Sequence, residues 1–285
     1  MLRLGWVDYL NCLPIYYPLE RGEIKPPFPL ELVKGVPTEL NRLYLAGELQ
    51  ATPLSSIEYA RQPEVSYILP GPVIAADGRV GSILLFSRLP VTELEGAKVA
   101  LTSASATSVA LLKILLTFYY HVEPEYWVCP PVLEDMLQAA EAALLIGDDA
   151  LRAHEEVKCK GEKLYVLDLG GAWKEFTGEK MVFALFTVRA DFAERDPERT
   201  TSLARLLLEA KDWGLRHLQK VKEAAQASTG LSPEVIEDYF TLLRYEWDEA
   251  CRRSLLLFYD YAYKLGLVEE RVKSLRVWGE GFGTP

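Results

Sequence analysis

The sequence predicts a two-lobed α/β protein with a ligand cleft between the lobes. Three observations point there. Strand and helix patterns alternate from residue 2 to about residue 190, the alternation restarts near residue 96, and from 197 onward the pattern turns mainly helical. Alternation of this kind favours parallel sheets covered by helices.

Residues 2–7 (LRLGWV) read as a strand that runs into DYLNCLP, a polar turn holding Asp8, Tyr9, Asn11 and Pro14. A second strand covers 30–35, and a helix follows over 36–49 with Pro37 in its first turn. Residues 49–62 give a short strand, a turn at Ser55 and Ser56, and a helical start at Ile57. The stretch 65–88 has β-type patterning broken by Pro and Gly, and ends in a strand at 80–87. Residues 97–120 then read strand, polar turn, helix. YWVCP is a short strand, and 132–151 reads helix, strand (AALLIG) and a turn at Asp148 and Asp149. A strand at 181–189 precedes helices at about 197–226, 232–242 and 247–265. No fixed-period repeat interrupts this order.

A chain that builds one lobe, crosses to a second and returns has the plan of the type II periplasmic-binding-protein fold. The crossing strands are expected near 82–90 and 181–189. Residues 1–88 with 183–285 would form the first lobe, and 89–182 the second. A ligand would sit between them, where interface pockets commonly form.

Composition narrows the function. The chain has 285 residues, 49% of them hydrophobic, a net charge of -10 and a pI of about 5.0. Such an acidic protein does not seek nucleic acid or an anionic membrane. An anionic ligand would have to be held by local groups against the global field. Cys12, Cys129, Cys159 and Cys251 show no paired spacing, and His121, His154 and His217 no ligand spacing, so neither a disulfide framework nor a metal is expected. No dinucleotide, Walker A or serine-hydrolase motif occurs, and no cofactor is expected. The N-terminus lacks a signal-peptide layout and no apolar run reaches transmembrane length, so a cytoplasmic protein is expected.

Three polar turns follow predicted strands: DYLNCLP, PLSSIEY and TSASATSVA. In the third, Thr102, Ser103, Ser105, Thr107 and Ser108 crowd the start of an apolar helix. An N-cap needs one hydroxyl; five within seven positions point to an anion held by backbone N–H groups and the helix dipole. Ser55 and Ser56 pose the same choice in the first lobe, between a plain cap and a second anion turn. Together the two turns suggest a ligand with two anionic ends. Asp148 is either an N-cap or an acceptor and general acid/base, and Asn11 either caps its turn or faces the ligand.

Taken in order, GWVDYLNCLPIYYPL, TPLSSIEYA, GRVGSILLFSR, LTSASATSVALLKILL, LLIGDDAL and LDLGGAWKEFTGEKMVFALF resemble the chorismate dehydratases, the first enzymes of the futalosine route to menaquinone. The resemblance spans roughly residues 1–190 and implies the two-lobed fold above. It implies a hydro-lyase, a carbon–oxygen lyase that removes water from the dicarboxylate chorismate to give 3-[(1-carboxyvinyl)oxy]benzoate. It places Asn11 in the cleft as a catalytic group, with Ser55, Ser56 and Ser82 on the first-lobe side and Ser105, Ala106, Thr107 and Ser108 in the second-lobe anion turn. Asp148 matches the family's IGD position. The proton acceptor is either Asp148 or the substrate's own enolpyruvyl carboxylate. One departure is Glu179, Lys180 and Met181, where the family more often has Leu-Pro-Phe. A solute-binding or sensing protein of the same fold, and the sister enzyme that makes dihydroxynaphthoate, are the alternatives.

Overall fold

The computed structural model describes residues 1–280, and two sheets organise it. The chain opens with β1 (Leu2–Val7), α1 (Leu13–Glu20), β2 (Leu30–Gly35), α2 (Pro37–Leu45), β3 (Ala51–Ser55), α3 (Ser56–Arg61) and β4 (Ser66–Ala76). It continues through β5 (Ile83–Ser87), β6 (Lys98–Thr102), α4 (Ala106–Leu115), β7 (Glu125–Cys129), α5 (Leu133–Ala139), β8 (Ala142–Ile146), α6 (Gly147–Lys160), β9 (Tyr165–Asp168) and α7 (Leu169–Thr177). It returns as β10 (Met181–Arg189), α8 (Ala190–Arg195), α9 (Pro197–Arg216), α10 (Leu218–Thr229), α11 (Pro233–Leu242), β11 (Leu243–Glu246) and α12 (Glu249–Lys264).

The first sheet has the order β11-β4-β10-β3-β1-β2, the second β7-β6-β8-β5-β9. In the first, β1 is parallel to β2 and β3, while β10 runs antiparallel to β3 and β4. In the second, β6 is parallel to β7 and β8, while β5 runs antiparallel to β8 and β9. Helices cover both faces of such sheets, so central strands read as unbroken apolar runs; every residue of β3 and β8 is buried.

These directions fix where a site can form. The carboxyl ends of β1, β3, β6 and β8 face the space between the sheets. The antiparallel strands bring their amino ends to the same place, since Ile83 pairs with Ile146 and Ala184 with Ser55. Six segments therefore converge on one cleft.

The boundary expected at residue 88 moves back. β5 lies wholly in the second sheet, paired on both sides, so residues 77–82 carry the chain across. Likewise β10 lies wholly in the first sheet and the return falls at 178–180. The helix expected over 197–226 is two, divided at His217. Between α11 and α12 sits a short strand, β11, where buried Leu243 and Tyr245 alternate with exposed Arg244 and Glu246.

α1 holds the turn that carries Asn11, and α9 holds α1. Their packing is close at Gly214, where an added Cβ would lie 1.8 Å from the Pro14 carbonyl oxygen. Backbone cannot yield as a side chain can, so Gly214→Ala should push α9 off α1. Overpacking of this kind costs about 1–3 kcal/mol, and calorimetry should show a melting temperature lower by about 2–10 °C. An unchanged melting temperature would mean that this contact does not set the helix spacing.

Candidate active site

A cavity lies between the sheets, where the two lobes meet. Tyr9, Asn11 and Cys12 come from the turn after β1, and Ser55 from the end of β3. Ser82 heads β5, Ser105, Thr107 and Ser108 open α4, and Gly147 opens α6. Val7, Pro37, Pro53, Ile74, Ile83, Ile146, Phe183 and Ala184 supply the apolar surface. Among the described residues, no charged side chain lines it.

The hydroxyls are oriented by their neighbours. Asn41 donates to Ser55 Oγ at 2.9 Å and accepts from the Ser55 N–H at 3.2 Å, which leaves the Ser55 hydroxyl hydrogen for the cavity. In the second lobe, Ser105 Oγ accepts from the Ser108 N–H at 3.1 Å and donates to Ser108 Oγ at 2.9 Å. The Ser108 hydrogen is therefore also free. The amino ends of α2, α4 and α6 reach the cavity at Pro37, at Ser105 with Thr107, and at Gly147. Their aligned peptide dipoles favour an anion there. Asn41 carried no signal of its own in the sequence beyond being a polar residue between the buried Leu40 and Tyr44 of α2.

Ser82 is placed by a residue that the sequence reading passed over. The Asp168 carboxylate accepts from the N–H groups of Val80 at 3.0 Å and Gly81 at 2.7 Å, and caps α7 through the Gly171 N–H at 3.0 Å. The crossing segment is thus pinned one residue before Ser82. Gly170 belongs to the same device, since a Cβ there would meet the Gly78 carbonyl oxygen at 2.6 Å. This explains the LDLGG stretch.

Three of the expected site positions lie off the cavity, and a fourth has a second partner. Asp148 does not line the cavity: its Oδ1 accepts from the Leu10 N–H at 3.0 Å, across from the second lobe to the turn that carries Asn11. Burial pushes its pKa from the ordinary 3.8 up to about 6; the Leu10 N–H opposes that rise and the Asp149 charge adds to it. Ser56 donates to the Val182 carbonyl at 2.9 Å instead of facing the cavity. Ala106 begins α4 but is not on the cavity wall. Thr107 lines the cavity and also accepts from the Ile57 N–H at 3.3 Å, a second tie between the lobes.

Gly147 has a φ of +57° and lies under the Tyr9 ring, which an added Cβ would meet at 2.9 Å. Both facts demand glycine there, which explains the IGD position. The departure at Glu179–Met181 faces away from the cavity. The Lys180 carbonyl accepts from Trp173 Nε1 at 3.1 Å, and the Lys180 ammonium donates to Asp248, the cap of α12, at 2.8 Å. Among the described residues, no three His, Cys, Asp or Glu side chains gather as metal ligands, and no helix is long and apolar enough to cross a membrane.

Comparison with known proteins agrees with this geometry. Solved structures of similar fold include a protein from Archaeoglobus fulgidus, with a TM-score of 0.76 and 20% identity over 94% of this chain and 98% of that one. The periplasmic aliphatic sulphonate binding protein of Escherichia coli superposes with a TM-score of 0.70 and 15% identity over 97% of each chain. In sequence, the chain is 34% identical to the chorismate dehydratase of Thermus thermophilus over 93% of this chain and 95% of that protein. It is 31% identical to the 1,4-dihydroxy-6-naphtoate synthase of the same organism over 68% of each. A family profile described as menaquinone biosynthesis matches residues 2–264. The chain has the periplasmic-binding-protein-like fold and belongs to the menaquinone biosynthesis family.

Proposed function

We propose that this protein is a chorismate dehydratase, a hydro-lyase that converts chorismate to 3-[(1-carboxyvinyl)oxy]benzoate and water. The observation that carries the reading is the charge-free cavity whose oriented hydroxyl donors come from both lobes. Chorismate has a carboxylate at each end, one for Ser55 and one for Ser108 and the start of α4. Near-complete coverage of a dehydratase relative at 34% identity, against 68% coverage of the naphthoate synthase, favours this member of the family.

In the reaction the ring carbon bearing the ether loses its hydrogen and its neighbour loses hydroxide. The C–H electron pair becomes the third ring double bond, the C–O pair leaves with oxygen, and the hydroxide takes up a proton as water. Aromatisation makes the step downhill, so the protein has to hold the groups and assist departure of the hydroxide. Asn11 orients the leaving hydroxyl. Asp148, engaged with the Leu10 N–H, is a positioning residue for that turn. The proton then goes to the substrate's own enolpyruvyl carboxylate, an intramolecular base of high effective molarity. The lobes on either side of residues 77–82 and 178–180 close over the ligand by bending at these crossings.

The experiment is incubation of the purified protein with chorismate, with the product followed by mass. Loss of 18 mass units (one water, about 18 by elementary mass) is expected, and Asn11→Ala should abolish most of it without lowering the melting temperature. Unchanged chorismate would contradict the assignment.

Asp148→Asn separates the two roles open to that residue. An amide oxygen can still accept from Leu10, so a positioning role predicts turnover within about tenfold of wild type, whereas loss of a true base costs about 10²–10⁴-fold. Stability gives a second readout. The folded protein holds the Asp148 proton more tightly than the unfolded chain does, so the charge costs stability as pH rises from about 4 to about 6. Asp148→Asn should therefore melt higher than wild type at pH 7 and lose that part of the pH dependence. A lower melting temperature at pH 7 would contradict this account of the carboxylate.

A further inference from the structure

We propose that Tyr239, on α11, is a positioning residue that orients Asn11 and, only when the lobes are closed, Ser82. The inference rests on the reading of the cavity as a chorismate site. Tyr239 is 1% exposed and its hydroxyl lies 2.9 Å from Ser82 Oγ. The Asn11 side chain lies near enough to the same hydroxyl to oppose the rise that burial gives its pKa. Asn11 Oδ1, by contrast, is buried and has no partner.

Counting hydrogens assigns the directions. A phenol has one hydrogen to give and lone pairs to receive. With the Asn11 amide NH₂ turned to the Tyr239 oxygen, the Tyr239 hydrogen goes to Ser82 Oγ. The reverse arrangement, with Ser82 donating to the phenol, would need the Asn11 amide turned to offer Oδ1 to the Tyr239 hydrogen. In the consistent arrangement Ser82 keeps its own hydrogen for the cavity, and Asn11 keeps Oδ1. A ligand hydroxyl placed between them would donate to Asn11 and accept from Ser82, the contact that strengthens as the C–O bond breaks and charge grows on oxygen. Burial raises the Tyr239 pKa, which keeps the phenol protonated throughout.

Tyr239 and Ser82 belong to different bodies. Tyr239 rides on α11, which runs into β11 of the first sheet, whereas Ser82 heads β5 of the second. The crossing segment lies against α11 at Gly81, where a Cβ would meet Leu242 at 2.9 Å and Tyr239 at 3.6 Å. Opening at residues 77–82 would draw Ser82 away from the phenol. The network thus links closure to readiness for elimination, and gives the helical C-terminal region a part in the reaction.

The test is a double-mutant cycle on chorismate turnover with wild type, Tyr239→Phe, Ser82→Ala and the double variant. Tyr239→Phe keeps the ring and should lower kcat about tenfold or more, with KM within about threefold. In the Ser82→Ala background the same change should cost less than about threefold, because the phenol has lost the group through which it acts. An unchanged kcat in Tyr239→Phe, or equal losses in both backgrounds, would overturn the proposal and leave the dehydratase assignment standing. Wild-type protein inactive on chorismate would overturn the assignment itself, and this proposal with it.

Discussion

The contact between the turn after β1 and the start of α6 governs the site. Asp148 takes the Leu10 N–H and Gly147 lies under the Tyr9 ring, so residues 9 and 10 are held from the opposite lobe and Asn11 follows. Three requirements meet at 147 and 148. The backbone must be left-handed, the space above it must be empty of a Cβ, and the next side chain must be an acceptor. Glycine followed by aspartate satisfies all three. Thr107 against Ile57 and Ser82 against Tyr239 add further ties, so the cavity is completed only when both lobes contribute.

A ligand with two carboxylates entering this cavity meets no cation. Its charge would have to be balanced by hydroxyl hydrogens and the amino ends of helices, each a fraction of a charge. In a protein of net charge -10, fixed dipoles have one advantage over a lysine or arginine. They attract an anion in one orientation without placing a formal charge in the cavity. The organisation is that of electrostatic preorganisation, with donors fixed before the ligand arrives. Asn41 and Ser105 serve this end, since each sets the direction in which a neighbouring hydroxyl points.

Much of this was legible in the sequence because it is local. A crowd of hydroxyls at the end of an apolar strand marks a helix start whatever the rest of the chain does, and Ser55, Ser105, Thr107 and Ser108 lie on the cavity as that pattern implies. What the sequence does not show is what depends on distant partners. Asp148 reads as a cap or a base, yet its partner is Leu10, 138 residues away. Asp168 carries no mark of its role in the sequence, and only the fold shows its carboxylate gripping Val80 and Gly81 while it caps α7. The boundary at 88 was misplaced because ILLFS carries no mark of which sheet it will join; its partners in β8 and β9 decide that. β11 was missed because four alternating residues between two helices are too few to declare a period.

The central claim is that neutral donors in both lobes hold the two ends of a dicarboxylate. Calorimetric titration of the product, 3-[(1-carboxyvinyl)oxy]benzoate, into wild type, Ser55→Ala and Ser108→Ala tests it without turnover. A hydrogen bond to a charged group is worth about 1.5–3 kcal/mol, so each variant should bind about tenfold or more weakly, with the losses adding in the double variant. Wild-type affinity in both single variants would contradict the account.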